Sequence, residues 1–141
     1  MLRKLIIAIA FVATLVSSVE AMTTTPQKSI FERAESLLEH KRWSDARHEY
    51  LRLRKIVPQE DVEAVQHIEY GLTLCAVKLD DNASEQRMLD FIRRYPGSVY
   101  ATEINFELAL YYCEQEEFEK ARKAFEQAVE RQACTFCGRA E

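Results

Sequence analysis

A chain of 141 residues, 48% apolar and 30% charged, has the makeup of one ordinary folded domain and not of a disordered or collagen-like chain. Three glycines and three prolines are too few to punctuate a sandwich or barrel of many short strands, so an all-α fold is expected. With 23 acidic against 19 basic residues and a net charge of −4, the chain offers no footprint for phosphate backbones, and a nucleic-acid partner is not expected.

Residues 1–21 read as a signal peptide. Met1-Leu2-Arg3-Lys4 is a short basic start, and Leu5 to Val16 is an apolar run too short to span a bilayer. Val19 and Ala21 are small residues at the positions a signal peptidase reads, so cleavage before Met22 is expected. The protein should then be exported, periplasmic or secreted, with no membrane span in its mature form. Loss of Arg3, Lys4 and Glu20 lowers the net charge from −4 to −5.

From Thr25 onward the pattern is helical. Thr25-Pro26 opens the first helix, because proline lacks a donor that the first turn would leave unpaired anyway. A weak break falls at Lys41-Arg42, and Pro58 ends the second helix. The third runs from about Asp61 to Leu79 and closes at Asp80-Asp81-Asn82, where Asn82 and Glu85 have capping-box spacing. Pro96-Gly97-Ser98 is the next stop. Then come about Tyr100 to Gln115, a short turn at Glu116-Glu117, and a last helix from Phe118 to about Arg131. The expectation is six helices in three hairpins.

The hairpins repeat. Trp43, Ala46, Tyr50 and Leu53 are matched 75 positions later by Phe118, Ala121, Phe125 and Ala128, and near the midpoint by Ser84, Met88 and Phe91, with Asp81 departing from the pattern at the first position. The first helices align through Ala34, Leu72 and Ala109 and through Leu37, Cys75 and Tyr112, and Pro58 and Pro96 are 38 apart. A large residue at the start of the second helix should wedge against the first, and a small one a turn later should let the two approach closely.

These residues resemble the tetratricopeptide (TPR) repeat, strongly in the third copy, well in the first and weakly in the second. The repeats fall at about 27–60, 65–98 and 102–133 within a domain of residues 22–133, followed by a tail of residues 134–141. The period of 37 to 38 exceeds the usual 34, and Gly71 lies one position before the family's small residue. Together with Tyr95-Pro96-Gly97-Ser98-Val99-Tyr100-Ala101, the long period is similar to the bacterial envelope branch, which includes an outer-membrane assembly lipoprotein and a Tol-Pal-associated periplasmic protein.

The resemblance implies a right-handed α-solenoid whose concave face, lined by the first helix of each hairpin, holds a peptide or partner helix. The groove-facing positions of the family correspond to Lys28, Phe31, Glu35 and Glu39 in the first copy, Glu69 and Thr73 in the second, and Glu103, Phe106 and Leu110 in the third. Such a groove is acidic with aromatic anchors and suits a basic or amphipathic segment. The implied role is a non-catalytic interaction module, an adaptor or scaffold of the cell envelope. No cofactor is implied.

No catalytic constellation is visible. His40, His48 and His67 stand on helices with no nucleophile or paired carboxylate at motif spacing and read as solvent-facing, and Arg47-His48-Glu49 reads as charged surface. The competing chemistry is Cys134-Thr135-Phe136-Cys137-Gly138, a C-x-x-C in a non-periodic stretch. In an exported protein a local Cys134–Cys137 disulfide is the simplest state, and thiol-redox or zinc-binding activity is the alternative function. A zinc knuckle lacks its second pair, haem attachment lacks the following histidine, and a thioredoxin-like role lacks a βαβ setting. Cys75 and Cys113 are expected in the core, with a bridge between them conceivable only if two helices approach unusually closely. Finally, Phe125, Ala128 and Val129 should leave an apolar strip on the last helix, through which the chain could self-associate.

Overall fold

The computed structural model describes residues 26–137, with side chains described through Glu130. The expected signal peptide at 1–21 lies outside the described residues. Among the described residues the chain is all-helical: α1 (Pro26–Glu39), α2 (Trp43–Ile56), α3 (Val62–Lys78), α4 (Ser84–Arg94), α5 (Ala101–Glu114) and α6 (Phe118–Cys137). None of these helices is long and apolar enough to cross a membrane.

Several ends follow the expected chemistry. Pro26 is the first residue of α1. Val57, just before Pro58, takes the extended conformation that a following proline imposes, and α2 stops there. The Asp61 carboxylate caps α3 by accepting the Ala64 N–H at 3.1 Å.

Two ends differ. The Asn82–Glu85 capping box does not form. Asp81 instead accepts the Ala83 N–H at 3.1 Å, and α4 begins only at Ser84. The last helix does not end near Arg131, because no glycine or proline interrupts the chain before Gly138, and α6 continues to Cys137. Cys134 and Cys137 therefore stand on the final turns of a helix rather than in a tail.

The three hairpin turns share one geometry that the sequence hardly signals. Lys41, Asp80 and Glu116 have φ of 57°, 53° and 60°, left-handed backbone usually reserved for glycine. In each turn the left-handed residue donates to the carbonyl three positions back, and the next residue donates to the carbonyl five back. The longer bonds are Arg42 to Leu37 at 2.8 Å, Asp81 to Ala76 at 3.0 Å and Glu117 to Tyr112 at 2.9 Å. This is the Schellman closure, which satisfies carbonyls that a helix end otherwise strands. Side chains at these positions cost about 1–2 kcal/mol in backbone strain, yet the same turn is made three times.

Each helix packs against the helices before and after it, and α3 also touches α5. The small residues expected at the hairpin contacts are buried there: Ala46 on α2, Ser84 on α4 and Ala121 on α6. The Ser84 hydroxyl lies 3.0 Å from the Ala76 carbonyl, so a polar group is accommodated at a close approach. One core gathers Ala34, Ala46, Tyr50, Leu53, Ile68, Leu72 and Cys75 from α1 to α3. A second gathers Met88, Phe91, Ile104, Leu108, Tyr112, Ala121 and Ala124 from α4 to α6.

Gly71 locks the first core. A Cβ placed there would lie 2.4 Å from two atoms of the Tyr50 ring, so the ring tip rests directly on the α3 backbone. Tyr50 is fully buried as a result, and its hydroxyl has no hydrogen-bond partner among the described residues. The glycine displaced by one position from the family pattern is thus the residue that lets Tyr50 in.

The wedge expected at the start of each second helix is not uniform. Trp43 is half-buried, but Phe118 is 67% exposed, because its ring faces the side of α6 that no described helix covers. Arg47-His48-Glu49 is not plain surface either. Glu49 is buried, with its carboxylate 3.4 Å from Arg33 of α1 and 2.7 Å from Arg52. A carboxylate that deep is retained only with such partners.

Candidate functional site

The most structured surface is a cleft of about 570 Å³ at the open side of α1, α3 and the start of α5. Helix spacing builds it. Phe31 and Glu35 lie one turn apart on α1, and Ala64 and His67 lie about one turn apart on α3. Tyr100, the residue before α5, closes the far side.

The floor is a ladder of rings. His67 stacks on Phe31 with centroids 5.2 Å apart and planes at 29°, and on Tyr100 at 5.4 Å and 27°. Tyr100 in turn stacks on Tyr70 at 4.4 Å and 16°. These separations fall in the range of favourable ring contact, and the ladder ties three helical segments together. Tyr50 lies beneath, with its ring 6.1 Å from His67.

Carboxylates surround the ladder. Glu35 lies 3.2 Å from His67 Nε2, and Glu32, Asp61 and Glu63 also line the cleft against a single lysine, Lys28, which sits 4.0 Å from Glu32. Asp61 is engaged in capping α3, whereas Glu63 is exposed. The acidic field registers on the tyrosines. Tyr70 holds its proton well above the ordinary phenol range, first through burial and then through a hydrogen bond with Glu103. Tyr100 is raised by burial and by the charges of Glu35, Glu63 and Glu103.

Of the residues anticipated on the concave face, this cleft assembles Lys28, Phe31 and Glu35, with Glu103 reaching it through Tyr70. Glu39 is exposed at the far end of α1. Glu69 and Thr73 are not in the cleft. They turn toward α4, beside Arg87, Asp90 and Tyr95. Glu69 lies 3.9 Å from Arg54 of α2, and the buried Thr73 hydroxyl donates to the Glu69 carbonyl at 2.8 Å. Their place on α3 is taken by His67 and Tyr70, two and three positions before the residues expected there. Phe106 and Leu110 lie apart, on an outer face of α5 toward α6.

His67 is therefore not a solvent-facing histidine. It is only 22% exposed and sits at the centre of the cleft, sandwiched by Phe31 and Tyr100. Its neighbours at three, four and seven positions are Tyr70, Gly71 and Leu74, an apolar stripe that could have flagged burial. Its ring partners lie 36 and 33 positions away and are invisible to local pattern. His40 behaves as expected on the surface, with Nδ1 2.7 Å from the Ser36 carbonyl.

Among the described cysteines, Cys75 is buried and Cys113 exposed, and both are free thiols. No bridge joins them, and Cys113 is not a core residue. Burial pushes the Cys75 thiol up to about 11 against a lowering by Arg47, which makes it a poor nucleophile. The side chains of Cys134 and Cys137 lie outside the described residues, so the expected disulfide lies there too. The continuous helix under them differs from the turn on which a zinc knuckle is built.

Compared with known proteins, the chain matches no family model, no curated protein and no solved structure.

Proposed function

We propose that the chain is a non-catalytic interaction module, an exported adaptor or scaffold of the cell envelope, whose three TPR-like hairpins stack as a right-handed α-solenoid. Its ligand is a basic or amphipathic peptide segment held in the cleft between α1, α3 and Tyr100. One observation carries this reading: the Phe31–His67–Tyr100 ladder lies open along a cleft edged by Glu32, Glu35 and Glu63. A guanidinium or ammonium can lie over an aromatic face while a carboxylate takes its donors, and an apolar neighbour can bury itself on the same rings. The repeated left-handed turns at Lys41, Asp80 and Glu116 support the repeat reading, since one backbone solution recurs at a spacing of 36 to 39 residues. The leader-like residues 1–21 support export.

The test is a fluorescence titration with two amphipathic helical peptides sharing their apolar residues, one rich in Lys and Arg and one rich in Glu. The basic peptide should bind and the acidic one should not, with affinity falling as salt rises. Glu35→Lys and Glu63→Lys alter exposed side chains and should each weaken binding by about tenfold, and Phe31→Ala by at least as much. Equal affinity for both peptides, or binding untouched by Glu35→Lys and Phe31→Ala, contradicts this function.

A further inference from the structure

At the other end of the molecule α6 buries Ala121, Ala124 and Ala128, and no described helix covers the flank beside them. Phe118 and Val129 are 67% and 65% exposed there. On α5, Phe106, Leu110 and Cys113 are exposed along one face at helical spacing, and Phe106 meets Phe125 of α6 edge to face at 5.3 Å. Between the two helices runs an open cleft of about 560 Å³ whose apolar lining includes Phe118, Phe125 and Val129. Monomeric proteins seldom keep a contiguous apolar surface of this kind uncovered.

We infer that this α5/α6 face is a self-complementary interface that pairs two copies of the chain about a two-fold axis. Charge along α6 selects the second copy. Along the flank of this face Glu119, Arg122 and Lys123 precede Glu126 and Glu130, while Lys120 turns away onto Glu117 and the Tyr112 ring. Two such helices laid antiparallel set Arg122 and Lys123 near the partner copy's Glu126 and Glu130, with the Phe125 side chains near the axis, so that the pairs Arg122 makes with Glu119 and Glu126 of its own helix are extended across the contact. Arg122, Glu126 and Glu130 all border the cleft, so this pairing falls at the edge of the apolar surface.

The opposite end of the molecule selects the two-fold over a head-to-tail chain. The outward residues of α1, Ser29, Glu32, Arg33, Ser36 and His40, are polar and exposed, so the apolar face finds no counterpart there. The contact closes at two copies and leaves both aromatic clefts free, since the cleft of α1 and α3 shares no residue with this face. Two tethered clefts would grip a repeated or multivalent partner more tightly than one.

The experiment uses the full chain carrying Cys134→Ser and Cys137→Ser, so that Cys113 is the one accessible thiol among four cysteines, Cys75 being buried. Light scattering across a concentration series should show mass rising to twice the monomer and no further. Alkylation of Cys113 should slow in step with it. Val129→Arg, at an exposed position, should raise the dissociation constant at least about tenfold without altering helicity. Arg122→Glu should weaken pairing, and mixing that chain with a Glu126→Arg chain should restore it as a heterodimer, which a repaired pair within one helix cannot do. A mass fixed at the monomer, growth beyond the dimer, or a dimer indifferent to Val129→Arg overturns the inference. Each of these outcomes is read without any peptide, so failure here is separable from failure of the binding cleft.

Discussion

Phe31 and Phe106 occupy corresponding positions 75 residues apart in the first and third hairpins, yet they meet opposite fates. Phe31 is covered on one face by His67 of the following hairpin and becomes part of a ring ladder. Phe106 is 50% exposed, because no described helix follows α6 to supply its His67. The same residue type thus builds a cleft where a neighbour follows and an uncovered strip where none does. Whether another helix follows, more than residue identity, decides what such an aromatic does.

The two halves are also sealed differently, and this gives the largest expected effect. The first half closes by seating Tyr50 on Gly71, the second by laying Ala121, Ala124 and Ala128 of α6 on α5. Gly71→Ala should therefore destabilise the fold by about 3 kcal/mol, since the Tyr50 ring cannot yield without leaving the core. Gly97→Ala, with nothing within 4 Å of the added methyl, should not be destabilising. Chemical denaturation of the two variants decides this, and equal midpoints would mean that Tyr50 does not seal the first half.

Next in size are Ala46→Leu and Ala121→Leu, which overfill one hairpin contact in each half. Both alanines are buried, so each change should cost about 1–3 kcal/mol in thermal unfolding. The cost at Ala46 should be the larger, because α2 is held between α1 and α3 whereas α6 packs chiefly on α5 and can shift outward. The reverse order would remove the distinction between the halves.

A third effect comes from the phenols and one thiol. Burial, followed by the nearby acids, raises Tyr50, Tyr70 and Tyr100, and it lifts Tyr112, which also donates to Glu85 at 2.8 Å, up to about 12. Each group keeps its proton longer folded than unfolded. Stability from them is therefore complete below the unfolded values and lost as pH climbs from about 9 to 12, beginning with Cys75. Urea midpoints across that range should fall steadily. Tyr50→Phe removes a buried hydroxyl that lacks a partner, so it should flatten part of the fall and leave neutral stability equal or higher.

The smallest effects belong to the turns. Lys41→Gly and Glu116→Gly should each stabilise by about 0.5–1 kcal/mol, as glycine adopts the left-handed backbone without strain but loses more chain entropy. Asp80→Gly should gain less, since aspartate tolerates this conformation better. Destabilisation at Lys41 or Glu116 would mean that those side chains contribute something the shared turn geometry does not require.

Much of the architecture could be read from spacing alone. The alanines and serine at the hairpin contacts, Pro26 and the stop before Pro58 follow from local chemistry, and all of them appear where that chemistry puts them. The end of α6 escapes spacing because Ala133 to Phe136 lack a repeat pattern without carrying any residue that stops a helix. The cleft was only half legible. Phe31 and Glu35 follow from the first copy, but aligning the weak second copy by period pointed to Glu69 and Thr73. The register of α3 is set instead by Gly71 under Tyr50, a contact spanning 21 positions that no periodicity encodes. His67 is half legible too: its stripe with Tyr70 and Leu74 signals burial, but its ring partners Phe31 and Tyr100 lie 36 and 33 positions away.

The central claim is that a cationic partner enters the ring ladder of the first half and not the apolar strip of the second. Nuclear magnetic resonance of the full chain during titration with the basic amphipathic peptide tests it most directly. Saturable shifts should concentrate on the side chains of Phe31, His67 and Tyr100 and on the backbone near Glu35 and Glu63, leaving Phe106, Phe118 and Val129 unmoved. Shifts centred on α5 and α6, with the His67 ring signals unchanged, would contradict it.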